Sequence, residues 1–341
     1  MFRLTLRRMV YLRKFVFGRN LQIINISKSC NPYTGNERIR TAKKPVWEQR
    51  VNEDRRSILR RVLAEVAAWE VPTNLLVCKV SKAFLKKRVG AKAAKKAERF
   101  ASIGEYLNEE ESTTYRALAA RANYLAMDRP DCAYATKELC RYFAAPTKTS
   151  VEALKRLVRY LVGKPTLVWL YKMQPIDTKL MVYVDTSFGG CHTTRRSTSG
   201  GAMMIGDHLV KHWSSTQTTV ALSSAEAELT GICRGAANGL GLQALAKDLG
   251  MNLTLHVASD AAAAVGICRR KGLGKVRHLA TADLWVQDRV KKKDFILARI
   301  PGVDNPADVL TKHVDQMLLT KHISFMGLRF EEGRAKSAPN I

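Results

Sequence analysis

Four acidic residues stand where an α/β fold gathers its functional groups. Asp185 and Asp260 each end a largely apolar run, "LMVYVD" and "LTLHVASD", that predicts a β-strand. Asp308 lies in "NPADVLTKHV", where the proline predicts the first turn of a helix. The fourth acid is one of two glutamates, Glu226 and Glu228, in "ALSSAEAELTGI". Because groups at the carboxyl ends of strands in open α/β sheets meet in one crevice, we expect these carboxylates to converge.

Carboxylates that converge repel one another unless a cation binds between them, and hard oxygen ligands suit Mg²⁺ or Mn²⁺. A set in the order Asp, Glu, Asp, Asp suits two-metal hydrolysis of a phosphodiester. One ion generates hydroxide from water, and the other stabilises the leaving oxygen. A single aspartate at the end of a strand is more commonly a turn or cap residue, but an ordered set in a strongly basic chain favours the metal site.

The two glutamates have different expected roles. Ser223 and Glu226 have the spacing of a capping box, in which the serine hydroxyl and the glutamate carboxylate each accept from the other residue's backbone N–H. Glu228 lies about 200° further around the helix, at the edge of its apolar stripe. Position alone does not decide, because Glu226 flanks the same stripe on its other side. The capping box assigns Glu226 to structure and Glu228 to the metal.

The elements that must position these acids fall into regions of different character. Residues 54–172 are basic and predict helices, among them 112–126, 132–145 and 150–163. Residues 173–320 follow the order β-β-β-α-β-α-(α)-β-α, which predicts a mixed sheet of five strands with a meander first and helical crossovers later. We expect residues 1–53 to form a disordered basic arm and 321–341 to form a tail.

The charge of the chain indicates a polyanionic partner. Lys and Arg number 57 against 30 Asp and Glu, which gives a formal net charge of +27. A positive field of this size favours nucleic acid. The alternatives are a basic structural protein, such as a ribosomal one, and an acidic membrane surface.

The cysteines and the lengths of the apolar runs indicate the cellular compartment in which the chain is expected. The 7 cysteines are scattered and include no Cys-x-x-Cys pair, which argues against a disulfide framework or a cysteine zinc site and fits a reducing compartment. No apolar run reaches about 18 residues, so we expect no membrane partner. An intracellular location, cytoplasm or nucleus, is expected. The segment before Glu37 is basic and free of acids, and its similarity to a mitochondrial presequence makes mitochondrial targeting an alternative.

Several strings resemble the ribonuclease H region of Ty1/copia-type retrotransposon polyproteins. They include "YVDTSFGGCHTTRRSTSGG" at 183–201, "KHWSSTQTTVALSSAEAELTGI" at 211–232 and "NPADVLTKHV" at 305–314. Upstream, "YRALAARANYLAMDRPDCAYATKELCRYFAAPT" is similar to the end of the reverse transcriptase of that family. The resemblance covers about 105–320. It implies an α/β fold with a ribonuclease H-like mixed five-stranded sheet flanked by helices, preceded by a helical reverse-transcriptase connection segment.

In that family the Asp-Glu-Asp-Asp set binds two metal ions, and by motif it falls on Asp185, Glu228, Asp260 and Asp308. The resemblance therefore implies an endonuclease that cleaves the RNA strand of RNA–DNA hybrids with two Mg²⁺ or Mn²⁺ ions. It also implies, as a partner, the remaining polymerase part of the polyprotein.

Five further residues are candidates for contact with nucleic acid. Arg195 and Arg196 in "TTRRSTSGG" are placed to contact phosphate or to form a solvated turn. Gln217 in "SSTQTT" offers an amide to a nucleic-acid backbone, or belongs to an edge strand. Arg277 and His278 match a basic residue and a histidine that precede a helix in the resembling family, where they would contact substrate or cap the helix.

The motifs that the sequence lacks leave a second function open. It contains no Tyr-x-Asp-Asp motif and no integrase or protease signature, so we expect no polymerase activity. We expect the chain to correspond to the 3′ end of an element. The alternative function is a non-catalytic nucleic-acid-binding remnant of a decayed or domesticated retrotransposon. The intact acids favour the endonuclease, whereas the missing polymerase palm favours the remnant.

Overall fold

A computed structural model describes residues 105–172, 174, 178–191, 193–272, 274 and 284–331. The predicted arm at 1–53, the first part of the predicted helical segment, and the pair Arg277 and His278 lie outside the described residues.

Three helices form the first described part of the chain: α1 (Glu109–Leu125), α2 (Pro130–Cys140) and α3 (Lys148–Gly163). Helix α1 begins earlier than the predicted Ser112, because Asn108 makes a capping box with Glu111 in which the Glu111 N–H donates to Asn108 Oδ1 at 2.8 Å. Pro130 occupies the first turn of α2, where its missing N–H costs nothing. The apolar faces of the three helices pack into one core around Tyr115, Leu118 and Leu154.

A buried ion pair ties the end of α3 to the turn before α2. Arg129 Nη2 lies 2.8 Å from Asp131 Oδ2, and the two side chains are 6% and 0% exposed. The hydroxyl of Tyr160 donates to the same carboxylate at 2.8 Å. Arg129 also donates to the carbonyls of Lys164 and Pro165, at 2.8 and 3.3 Å. Each charge is therefore matched by hydrogen bonds, which is the condition under which a buried pair is tolerated.

The sheet that follows has five strands in the order β4-β3-β2-β5-β6. Strands β2 (Lys179–Ser187), β3 (Thr198–Ile205) and β4 (His208–Thr216) form an antiparallel meander. Strands β5 (Thr254–Ser259) and β6 (Ile296–Arg299) continue it in parallel with β2. This arrangement confirms the predicted mixed sheet.

Helices cover one face of the sheet. Helix α4 (Ser224–Asp248) connects β4 to β5, and α5 (Ala262–Arg269) and α6 (Trp285–Lys291) lie between β5 and β6. Their buried side chains join Val182, Val184 and Leu255 in one core. Gly235 of α4 allows the close approach, since a Cβ there would lie 2.5 Å from Val184 Cγ1.

The other face of the sheet is covered by parts that are distant in sequence. Ala133 of α2 packs with Ala202, Leu310 and Ile323, the last of which lies in α7 (Gln316–Phe325). Strand β1 (Thr166–Trp169) pairs with β7 (Leu328–Glu331). This ladder spans both proposed boundaries, 172/173 and 320/321, and residue 321 falls within α7. The division into segments remains a proposal, and residues 321–331 belong to the folded structure rather than to a tail.

The structure corrects the helix that the sequence predicts to begin within residues 305–314. The chain forms a short 3₁₀ helix at Pro306–Leu310, and an α-helix begins only at Gln316, capped by Asp315. Thr311 leaves helical geometry at φ −124°, and its hydroxyl donates to Asp185 in the sheet. The tertiary contact therefore ends the turn.

Among the described helices, none combines the length and apolar character that crossing a bilayer requires.

Candidate metal centre

Three of the four predicted acids meet at one edge of the sheet. Asp185 lies near the end of β2, and Asp260 directly follows the neighbouring parallel strand β5. Glu228 projects from the second turn of α4. One oxygen from each of these carboxylates lies within 4.8 Å of the other two. The structure thus brings Asp185, Glu228 and Asp260 into a group that could hold a cation.

Glu228 reaches the sheet because α4 packs closely against the end of β2. A Cβ at Gly231 would lie 2.5 Å from Thr186 Oγ1, so only glycine permits this approach. The backbone N–H of Thr186 donates to Glu228 Oε1 at 3.2 Å. The second oxygen, Oε2, is buried and has no hydrogen-bond partner among the described residues. A buried carboxylate oxygen without a donor is costly unless a proton or a cation reaches it.

Two carboxylates of this group, those of Glu228 and Asp185, hold protons more tightly than usual. Burial raises the pKa of Glu228 to about 9, and the charges of Asp185 and Asp260 add to the effect. Burial also raises the pKa of Asp185 to about 6; the hydroxyl of Thr311 opposes this shift and the charge of Asp308 supports it. Desolvation and like charge both disfavour the ionised forms. The unpartnered oxygen and the crowded negative charge fit a divalent cation with oxygen ligands.

Asp308 lies beside this group but not within it. Its Oδ1 forms an ion pair with Lys312 Nζ at 2.9 Å, and the set of mutually close oxygens does not include it. Burial lowers the pKa of the Lys312 ammonium, but the charges of Asp185 and Asp308 outweigh burial and raise it. Lys312 therefore compensates part of the negative charge. The assignment of Asp308 as a metal ligand stays a prediction.

Asn305 holds the turn that carries Asp308 against the sheet. It is fully buried, its Nδ2 donates to the Val184 carbonyl at 2.9 Å, and its Oδ1 accepts from the Ala307 N–H at 3.2 Å. We expect Asn305→Ala to lower the free energy of unfolding by about 1–2 kcal/mol, because two buried backbone groups lose their partners. Urea unfolding of the two proteins measures this. Asn305→Asp keeps the acceptor but sets a buried carboxylate against the Val184 carbonyl, so it should recover none of the loss. Equal stability of all three proteins would contradict the role.

Glu226 caps α4 with one partner different from the prediction. The Ser223 hydroxyl accepts from the Glu226 N–H at 3.2 Å, as the spacing predicts. The carboxylate of Glu226 accepts from the N–H of Leu222, at 2.8 Å, rather than from that of Ser223. The capping box is therefore half formed. Glu226 satisfies the backbone at the start of the helix and does not belong to the cluster of acids.

The predicted nucleic-acid contacts have different placements. Arg195 and Arg196 are exposed in the loop between β2 and β3, with Arg195 at φ 55°. Gln217 is only 5% exposed, and its amide nitrogen donates to Ser199 Oγ and to the Ala227 carbonyl, each at 2.8 Å. Both donors of the Gln217 amide therefore join the end of β4 to β3 and α4, and the contact of Gln217 with nucleic acid stays a prediction.

Sequence reasoning missed three residues of the centre. Asn305, Thr311 and Lys312 hold or compensate the acids. All three lie in the "NPADVLTKHV" string that carries Asp308. The sequence feature that could have indicated them is the set of polar residues at both ends of a short apolar segment. That pattern is equally typical of a helix, so it did not identify these contacts.

The strand order and the acids at adjacent strand ends define an α/β protein with a ribonuclease H-like fold. A ribonuclease H1 isolated from compost aligns with 39% of this chain and 93% of its own, at 17% identity and a TM-score of 0.29. The N-terminal RNase H domain of a Mycobacterium tuberculosis protein aligns with 43% and 98%, at 19% identity and a TM-score of 0.29. At such scores the strand order, not the alignment, carries the assignment.

Proteins similar in sequence are more informative about the family of this chain than the solved structures are. The chain is 28% identical over 220 residues to the retrovirus-related Pol polyprotein from transposon RE1 of Arabidopsis thaliana, covering 63% of this chain. It is 27% identical over 188 residues to that from transposon TNT 1-94 of Nicotiana tabacum, covering 54% of this chain. The secreted RxLR effector protein 161 of Plasmopara viticola is 37% identical over 112 residues, which are 33% of this chain and 78% of that protein.

The chain is therefore similar to copia-type retrovirus-related Pol polyproteins, and these similarities are consistent with a fragment of such a polyprotein. It spans 15% of the RE1 polyprotein and 14% of the TNT 1-94 polyprotein. No protein-family model matches it.

Proposed function

We propose that this chain is a metal-dependent endonuclease that cleaves the RNA strand of RNA–DNA hybrids. The observation that carries the proposal is the convergence of Asp185, Glu228 and Asp260 within 4.8 Å, with one buried oxygen of Glu228 lacking a donor. The similarity to retrovirus-related Pol polyproteins of transposons supports the proposal.

Asp185, Glu228 and Asp260 would hold Mg²⁺ or Mn²⁺, with Asp308 proposed as the further ligand for a second ion. A bound divalent cation supplies a Lewis acid that stabilises charge on phosphodiester oxygens and lowers the pKa of bound water. The chain's own groups prepare the site. The Thr186 N–H orients Glu228, the Thr311 hydroxyl orients Asp185, and Lys312 offsets negative charge beside Asp308.

Recognition of the hybrid would come from shape and backbone. Proteins distinguish RNA from DNA through the 2′-hydroxyl and the width of the groove rather than through base edges. Arg195 and Arg196, exposed between β2 and β3, are proposed to contact phosphates. The remaining polymerase part of the polyprotein is a proposed partner.

The proposal is tested by cleavage and by metal binding together. We expect the full chain to cleave a labelled RNA–DNA hybrid with Mg²⁺ or Mn²⁺ and to be nearly inactive with Ca²⁺, which tolerates looser coordination. Mg²⁺ binds only the folded arrangement of carboxylates, so it should raise the melting temperature by mass action. Thermal shift with each ion measures this.

The variant for comparison is Asp185→Asn, because it removes one metal ligand and keeps the size of the side chain. It should show neither cleavage nor most of the Mg²⁺-dependent shift. A wild-type chain that Mg²⁺ does not stabilise, even at on the order of tens of millimolar, would overturn the endonuclease proposal. The chain would then be a nucleic-acid-binding remnant.

A further inference from the structure

Two cations link the edge of the sheet to helix α4. Lys211 lies on the edge strand β4, and its Nζ donates to Asn238 Oδ1 of α4 at 2.8 Å. The amide nitrogen of Asn238 donates to the carbonyl of Arg234 at 3.0 Å. The guanidinium of Arg234 contacts the hydroxyl of Ser215 on β4. The partners of both cations are thus neutral amides and hydroxyls.

The positive charge of this pair is not compensated. Burial lowers the pKa of Lys211, and the nearby charge of Arg234 lowers it further. Burial also lowers the pKa of Arg234. Within the described part of the chain, neither side chain makes an ion pair with a carboxylate, whereas Lys148 and Lys321, for example, do. Holding two cations close together costs free energy, which an anion between them would offset.

Arg234 lies close to the carboxylates along two independent paths, and Lys211 lies further from them along β4. Ser215 is opposite Ser199 in the sheet, and Ser199 is opposite Thr186, whose N–H holds Glu228. Two strand spacings amount to roughly 10 Å. Along α4, Arg234 is six residues beyond Glu228, a rise of about 9 Å. One nucleic-acid strand can therefore reach both places.

We infer that Lys211 and Arg234 bind a backbone phosphate of the nucleic-acid substrate, with Ser215 and Asn238 positioning the two cations. The inference rests on the proposed function for the nature of the ligand. An ammonium and a guanidinium supply charge-assisted donors to phosphate oxygens. Phosphate contacts fix the register of a protein on its substrate without selecting sequence. The site would hold the hybrid in register with the carboxylates.

The test compares variants that each remove one positive charge and keep an unbranched apolar stem: Lys211→Met, Arg234→Met and the control Lys247→Met. Lys247 is exposed on the same helix, 13 residues beyond Arg234, about 20 Å away. Binding of the full chain to a labelled RNA–DNA hybrid is measured without divalent ions over a range of salt. We expect each site variant to lose about tenfold in affinity, and the double variant to reduce the salt slope by about 1.

The stability of the variants separates binding from structure. We expect the melting temperatures of the site variants to stay at or above that of wild type, because removing one cation relieves repulsion. Affinity and salt slope equal to those of Lys247→Met would overturn the phosphate site, as would a loss of affinity explained by unfolding. A wild-type chain that binds hybrid through these residues but does not cleave it would leave this site standing and refute the endonuclease.

Discussion

Replacement of Glu228 by glutamine is expected to lower the rate of hybrid cleavage about a thousandfold or more, because removing a carboxylate from the metal group sacrifices several kcal/mol of transition-state stabilisation. Glutamine keeps the acceptor for the Thr186 N–H, so the position of the side chain should survive. The loss would therefore report the missing charge rather than a displaced helix. Single-turnover cleavage of a labelled hybrid in Mg²⁺ measures the rate.

Glu226→Gln is the matched control for this experiment. The change is chemically the same, lies two residues earlier in the same helix, and preserves an oxygen that can accept from the Leu222 N–H. We expect this variant to keep most of its activity and to melt within a few degrees of wild type. Equal loss of cleavage from the two glutamine variants would contradict the division of roles between the two glutamates.

The stability of the metal-free chain is expected to fall as the pH rises from about 5 to about 9. The carboxyl of Glu228 has an ordinary pKa of 4.5 and a folded pKa of about 9. Between these values the folded chain holds a proton that the unfolded chain has released, so raising the pH favours unfolding. Asp185, with a pKa raised from 3.8 to about 6, adds to the lower part of this range. Each pKa unit corresponds to about 1.4 kcal/mol, so the coupled pair contributes several kcal/mol in total.

Unfolding by urea in EDTA at several pH values measures this slope. Glu228→Gln cannot ionise, so it should remove most of the dependence and exceed wild type in stability at pH about 8. Mg²⁺ binds the ionised carboxylates and should offset the loss at high pH in wild type but not in the variant. A metal-free wild-type chain that gains stability over this range would show that the acids are not crowded as described.

The sequence by itself indicated the strands and helices of the mixed sheet and the three acids that meet at its edge. Apolar runs of strand length marked β2 and β5, and the acid at the end of each run was visible without any tertiary information. The order of strands and helices then required a mixed sheet, because parallel strands need crossover connections. Glu228 was separated from Glu226 by the local pattern of helix capping. These features depend on neighbours within a few residues, which is why the sequence carries them.

Only the tertiary structure decided what each polar side chain contacts. Gln217 is used inside the fold because Ser199 and Ala227, far apart in sequence, meet beside it. The predicted helix after Asn305 stops short because Thr311 bonds to Asp185, 126 residues away. Lys211 and Arg234 become a pair only when β4 packs against α4. Such contacts follow from the packing of distant elements, and local periodicity contains no information about them.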